Sequence, residues 1–156
     1  LVPLEEEMER LELYLKLEKL RFGDKLSYAI HGMEELQGHD ISIPPMLLQP
    51  YVENAVIHGI LPREKGGHID VSLRGIGNHY EVEIRDNGIG LKAAAGRRRE
   101  GHESLALKMN QERLSILSAL SGSSYSIAII DRSEEAVPAE GTLVRLFLPK
   151  EAVIER

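Results

Sequence analysis

Asp86, Asn87, Gly88 and Gly90 stand in the run DNGIG, which follows an alternating apolar segment and comes downstream of a helical VENAVIHG. An acidic residue at the end of a strand, then Asn and two spaced glycines, puts one carboxylate at the floor of a pocket. The glycines let the chain turn tightly and pass close to a ligand, because they carry no Cβ and tolerate positive φ. Glu53, Asn54 and His58 lie roughly on one side of a helix, since positions four and five apart stay close around a 3.6-residue turn. A carboxylate pocket beside a helix that offers oxygen ligands suits a purine nucleotide and its magnesium ion.

The elements that must position these residues can be read from periodicity. Leu4 to Phe22 is helical, with one stripe of Leu4, Met8, Leu11 and Leu15 and a second of Leu13, Leu17 and Leu20. Its acidic start (Glu5, Glu6, Glu7) and basic end (Lys16, Lys19, Arg21) suit the helix dipole. So wide an apolar surface is expected to pack on two sides, either on its own domain or as a connector facing another domain or a second copy. Leu26, Tyr28 and Ile30 alternate as a strand, and Ile41 and Ile43 form a short second one. Pro44-Pro45 opens a helix, regular from about Gln49 because Pro50 cannot donate within it, and ended by Gly59. Its buried side is Leu48, Val52, Ala55 and Val56.

Ile69, Val71 and Leu73, then Tyr80, Val82 and Ile84, alternate with polar residues as two strands joined by a hairpin at Gly75 to Asn78. Leu91 to Glu103, with its three alanines, two glycines and Arg97-Arg98-Arg99, reads as a mobile loop. A helix from Ser104 to Leu120 turns Leu105, Met109, Leu117 and Leu120 inward, and Gly122 closes it. Tyr125 to Ile129 and Leu143 to Leu148 are the last strands. This order lacks the strict alternation of a doubly wound fold. It predicts an α+β two-layer sandwich, a mixed sheet covered on one face by helices.

With 156 residues, 42% apolar and 28% charged, the chain has the composition of one soluble domain. A net charge of -6 speaks against sequence-independent nucleic-acid binding, which needs a basic face. The absence of cysteine excludes disulfides and thiolate metal sites. No apolar run is long enough to span a bilayer. The chain starts without Met inside an acidic helical pattern, so it reads as a piece of a longer protein, with any membrane anchor outside it.

IPPMLLQPYVENAVIHG, DNGIG and GTLVRLFLP, in this order and spacing, resemble the ATP-binding domain of sensor histidine kinases, part of the superfamily shared with gyrase and MutL. Tyr14-Leu15 and Arg21-Phe22 are similar to the YL…RF helix that precedes this domain in LytS-type kinases. The resemblance covers nearly the whole chain and implies a Bergerat-type fold binding ATP and Mg2+. It implies a connector helix over residues 1–23 and a kinase domain over 24–156.

It further implies that Asp86 accepts from the adenine amino group, that Gly88 and Gly90 shape the pocket mouth, and that the Thr142 hydroxyl completes the adenine contacts. Asn54 would ligate magnesium. His58 would touch ribose or phosphate, with a structural histidine as the alternative. Ser104 and Leu105 would start the helix that faces the phosphates, in the variant SLAL where many relatives have G-x-G-L. Glu53 is the neighbouring carboxylate that could orient a water or act as base, with a solvated helix position as the alternative. The ATPase cousins carry their base four residues before the Asn, where this chain has Pro50. Ile57 stands where many kinases have Lys, a cation that Arg97 to Arg99 or Lys108 could replace.

The resemblance implies a catalytic domain of a two-component kinase, in the cytoplasm beneath an inner membrane. It would transfer the γ-phosphate to a histidine upstream of Leu1, in a homodimer that then serves a response regulator. A non-enzymatic nucleotide-binding module and a related serine kinase or ATPase are the other readings.

Overall fold

The structure is a computed structural model that describes residues 1–90 and 105–150, and of Leu105 and Ala106 the backbone only. The elements run β1 (Val2–Pro3), α1 (Leu4–Phe22), β2 (Leu26–His31), β3 (Ser42–Ile43), α2 (Gln49–Asn54), β4 (Gly67–Ile76) and β5 (His79–Asp86). Then come α3 (Leu105–Ser121), β6 (Ser126–Asp131) and β7 (Thr142–Pro149). Five strands form one mixed sheet in the order β2-β4-β5-β7-β6. β2 and β4 are parallel and the other neighbours antiparallel. The expected α+β sandwich is therefore the observed fold. The hairpin between β4 and β5 turns on Gly77-Asn78, with Ile76 paired to His79 and Gly77 at φ +55°. A two-residue hairpin loop takes glycine readily at this first position.

The helices cover one face of the sheet. α1 buries Leu4, Met8, Leu11 and Leu15 completely or nearly so, whereas Leu13, Leu17 and Leu20 are 59%, 56% and 83% exposed. The first stripe thus belongs to this core and the second has no partner among the described residues. The helix is tied down at its start too. Val2 pairs with Ile43 and Pro3 with Ser42, so the short strand expected at Ile41 to Ile43 lies outside the main sheet and holds the entry to α1. Glu7, 1% exposed, accepts the N–H groups of Met46 and Leu48 at 3.2 and 3.1 Å. This carboxylate satisfies two donors in the segment leading into α2, of which the Leu48 N–H is buried and would otherwise be left unpaired. Met46 itself sits at φ +59°.

α3 differs from its expected orientation. Leu114, Leu117 and Asn110 face the core, while Met109 and Leu120 are 51% and 72% exposed. Asn110 is buried because its amide donates to the carbonyl of Leu47 at 3.0 Å, and its oxygen accepts from Arg113. That bond fixes the helix phase and leaves the Met109 side outward. Gly122, at φ +68°, donates to Ser118 O and closes the helix as expected. The sheet's opposite face carries Glu81 and Glu83, both buried beneath Arg74, Arg85 and Arg145 at 2.8 to 3.7 Å. No helix among the described residues is long and apolar enough to cross a membrane.

Candidate functional site

β5 ends in Asp86 because the alternation that turns Tyr80, Val82 and Ile84 inward brings position 86 to the same face. The helical layer leaves a gap at this point. The carboxylate is 4% exposed, and its Oδ1 accepts the N–H of Gly88 at 2.8 Å and that of Thr142 at 3.4 Å. Burial pushes its pKa up to about 6, against the pull of those two N–H groups and of the nearby Arg132. Arg132 also donates to the Asp86 carbonyl at 2.8 Å. Asn87 is structural: its side chain accepts the N–H of His68 at 2.7 Å and prolongs the pairing with β4. Gly141 has φ +104°, and a Cβ there would overlap the Asp86 carbonyl, so only glycine lets Thr142 come alongside.

The second wall is helical. α2 runs to Asn54 and then widens into a π-turn over Ala55–Ile60, so the winding continues past the expected stop at Gly59. A π-turn returns the residue five positions on, rather than four, over the starting one. His58 and Gly59 thereby both reach the cavity with Asn54, while Val56 and Ile60 stay in the core. Gly59 packs on Asp86: a Cβ on it would stand 3.2 Å from the Asp86 carboxylate. Its carbonyl accepts the N–H of Ile89 at 3.0 Å.

Between these walls lies a cavity with about 470 Å³ of empty space, continuous with solvent. It brings together Asn54, His58, Asp86, Gly90 and Thr142 from the expected set, with apolar sides from Ile84, Leu107, Ile129 and Val144. An apolar cavity with a buried carboxylate in its lining matches a purine that presents an amino donor.

The other expected residues lie elsewhere. Gly88 sits beneath Gly59 rather than on the lining. Glu53 accepts from Gln49 Nε2 at 3.0 Å and stands near Tyr14 of α1, away from the cavity. Leu105 opens α3, and its side chain, Ser104, Arg97 to Arg99 and the rest of the loop from Leu91 to Glu103 fall outside the described residues. Lys108 is exposed on α3, and Ile57, at the position of the missing cation, is half exposed. Tyr51 and Gly59 also line the cavity; from sequence Tyr51 read as an ordinary helix residue and Gly59 only as the helix stop. The described residues contain no group of three His, Asp or Glu that could hold a metal by itself. Magnesium that arrives with phosphates and keeps its waters does not need one, and the Asn54 amide oxygen is a hard ligand of the right kind.

No family model matches the chain. It is 34% identical to the sensor histidine kinase YpdA of Escherichia coli (strain K12) over 102 residues, 65% of this chain and 18% of that one. It is 38% identical to the sensor protein LytS of Oceanobacillus iheyensis over 92 residues, 59% of this chain and 15% of that one. The chain thus spans less than a fifth of the length of these two curated relatives. Among solved structures it superimposes on a histidine kinase domain of a blue-light activated kinase from Erythrobacter litoralis. The TM-score is 0.59 at 13% identity, over 96% of this chain and 62% of that one. The nucleotide-free catalytic domain of histidine kinase ThkA gives 0.62 at 11% identity, over 95% of both chains. The α+β sandwich is the fold of these catalytic domains.

Proposed function

From its homology to LytS- and YpdA-type sensor histidine kinases, we propose that this chain is the ATP-binding catalytic domain of such a kinase, residues 24–156, preceded by a connector helix over 1–23. The observation that carries the reading is the buried Asp86 carboxylate, gathered with Asn54, His58, Gly90 and Thr142 around one apolar slot. Asp86 accepts from the adenine amino group, with its Oδ1 pinned by two backbone N–H groups so that the carboxylate does not reorient on binding. The Thr142 hydroxyl adds the second polar contact to the base. Gly90 keeps the mouth open, Ile84, Ile129 and Val144 exclude water from the ring, and Gly88 supports the floor.

Asn54 holds magnesium and His58 approaches ribose or phosphate, with Ser104 and Leu105 at the phosphate end. The metal neutralises charge on the phosphates when bound. Transfer forms a bond between the γ-phosphorus and an imidazole nitrogen, breaks the bond to the β-γ bridging oxygen and releases ADP, while the imidazole proton passes to solvent or a base. Catalysis of this kind is mostly positioning and charge neutralisation. Glu53 lies on the side toward α1, which favours a role in orienting α2 over one as base. The acceptor histidine lies in the segment upstream of Leu1. The full protein is a membrane-anchored homodimer that passes the phosphoryl group to a response regulator.

The test is incubation of the full-length protein, or of this domain with the upstream segment added, with γ-labelled ATP. Acid-labile, alkali-stable label on the upstream segment is the expected result. ATP binding without any label would favour the non-enzymatic module.

A further inference from the structure

Arg132 begins the turn after β6, and its backbone is tied on both sides. Its N–H donates to Gly141 O at 2.9 Å and its carbonyl accepts from Ala139 at 3.0 Å. Asp131 caps that turn by accepting from the N–H and the hydroxyl of Ser133 at 2.9 and 2.7 Å. The Arg132 side chain, 17% exposed, crosses to β5 and donates through Nη1 to the Asp86 carbonyl at 2.8 Å. One residue thus links the end of β5, which carries the buried carboxylate, to Gly141. The next residue, Thr142, donates to that same carboxylate.

The charge on Arg132 is only partly matched. Its Nε is buried and makes no hydrogen bond among the described residues, with Glu135 Oε2 3.8 Å away. The other Glu135 oxygen faces Arg85 at 3.4 Å. A cation at this depth is poorly screened and favours the ionised form of a neighbouring carboxyl. Burial raises the Asp86 pKa to about 6, and the Gly88 N–H, the Thr142 N–H and the Arg132 charge pull against it. The other ionisable side chains around this point are His58 in the π-turn, Arg63 on the Asn87 carbonyl with its partner Glu140, Asp131 against Gly90, and Glu135. Among the described residues, Arg132 is the one whose charge acts on Asp86. We propose that Arg132 is a positioning residue of the nucleotide site, holding the end of β5 in place and keeping the Asp86 carboxylate in the anionic form that accepts from the adenine amino group. The inference rests on the nucleotide reading above. A residue that served the fold alone would change stability without moving the titration of Asp86.

Arg132→Gln and Arg132→Lys test it, read by NMR titration of the Asp86 carboxyl carbon without ligand and by calorimetry with magnesium AMP-PNP from pH 5 to 8. Asp86→Asn, alone and combined with Arg132→Gln, is run alongside. Arg132→Gln is expected to raise the Asp86 midpoint by roughly one unit, the low end of the effect of an adjacent opposite charge. AMP-PNP affinity should then fall about threefold at pH 6 and little at pH 8. Arg132→Lys keeps the charge and should restore most of both. In the Asp86→Asn background the Gln substitution should cause no pH-dependent loss. An unchanged Asp86 midpoint in folded Arg132→Gln would overturn the proposal. So would a loss of affinity that is equal at pH 6 and pH 8 and persists in the Asp86→Asn background. Should Arg132→Gln fail to fold, Glu135→Gln takes its place: removing the carboxylate beside Arg132 should lower the Asp86 midpoint, and no change would overturn the proposal. If the parent binds AMP-PNP and Asp86→Asn weakens it while the midpoint stays put in Arg132→Gln, the Arg132 role alone fails. If the parent binds no nucleotide, the functional reading fails and this role with it.

Discussion

Gly88 lies so close to Gly59 that a Cβ added to it would overlap the Gly59 carbonyl. Gly88 does not have positive φ, unlike Gly90 at +84°. The first glycine of DNGIG is therefore demanded by the approach of the π-turn, and the second by backbone conformation. Gly88→Ala should push the two segments apart, at a cost of about 1–3 kcal/mol as for other overpacked sites. It should also weaken nucleotide binding, because the Gly88 N–H holds Asp86. Urea denaturation and a nucleotide titration of the variant would check both.

Asp86 is more costly ionised in the folded chain than in the unfolded one, since its pKa rises to about 6 from an ordinary 3.8. A raised carboxylate contributes stability below its unfolded pKa and loses it as pH climbs through the folded value. Asp86→Asn keeps an acceptor for Gly88 and Thr142 and removes the buried charge. It should therefore raise the ligand-free unfolding free energy at pH 7.5, by an amount on the order of 2–3 kcal/mol, and leave stability near pH 4 little changed. A lower midpoint at pH 7.5 would contradict this.

The same group sets a pH dependence of binding, because only the ionised carboxylate accepts from an amino donor in both orientations. Nucleotide affinity should be near its plateau at pH 7 and fall about tenfold by pH 5. The nucleotide's phosphates also titrate in this window, so the Asp86→Asn profile is the control. The parent's extra loss between pH 7 and 5 should vanish in the variant.

Much of this arrangement was legible in the sequence. Strict alternation at Ile69, Val71 and Leu73 and at Tyr80, Val82 and Ile84 can be met only by strands with one buried face, and DNGIG marks where that face reaches Asp86. Helix phase was harder wherever two apolar stripes compete. On α1 both Leu11 and Leu13 fit a packing face, and only the first is buried. On α3 the choice fell to Asn110, whose bond to Leu47 O involves two distant segments and leaves no local pattern. Glu81 and Glu83 are the polar residues of that alternation, yet both are buried, with three arginines paired to them. The π-turn depends on a shift of hydrogen-bond partners that composition does not encode, so the place of Gly59 against Asp86 stayed hidden.

Glu7 ties α1 to the entry of α2 through two backbone donors. Glu7→Ala would leave the buried N–H of Leu48 and the part-buried N–H of Met46 without their acceptor. A loss of about 1–3 kcal/mol is expected for such unpaired groups, and Glu7→Gln, which keeps one acceptor oxygen, should lose less. Chemical denaturation of the two variants would separate them, and equal stability of Glu7→Ala and parent would contradict the tie.

Asn54→Ala should act on the metal-dependent part of binding. The parent should bind AMP-PNP more tightly with magnesium than with EDTA, and the variant should lose that advantage, on the order of tenfold, while adenosine binding is retained. An unchanged magnesium advantage would remove Asn54 as a ligand.

The most direct test of the account is calorimetric titration of this domain with magnesium AMP-PNP, parent beside Asp86→Asn, at pH 7.5. The expected result is one-to-one binding by the parent, weakened very roughly ten- to a hundredfold in the variant, with the variant's fold intact. Equal affinity of the two proteins, or no binding by a folded parent, would contradict the claim that the Asp86 cavity is a nucleotide site.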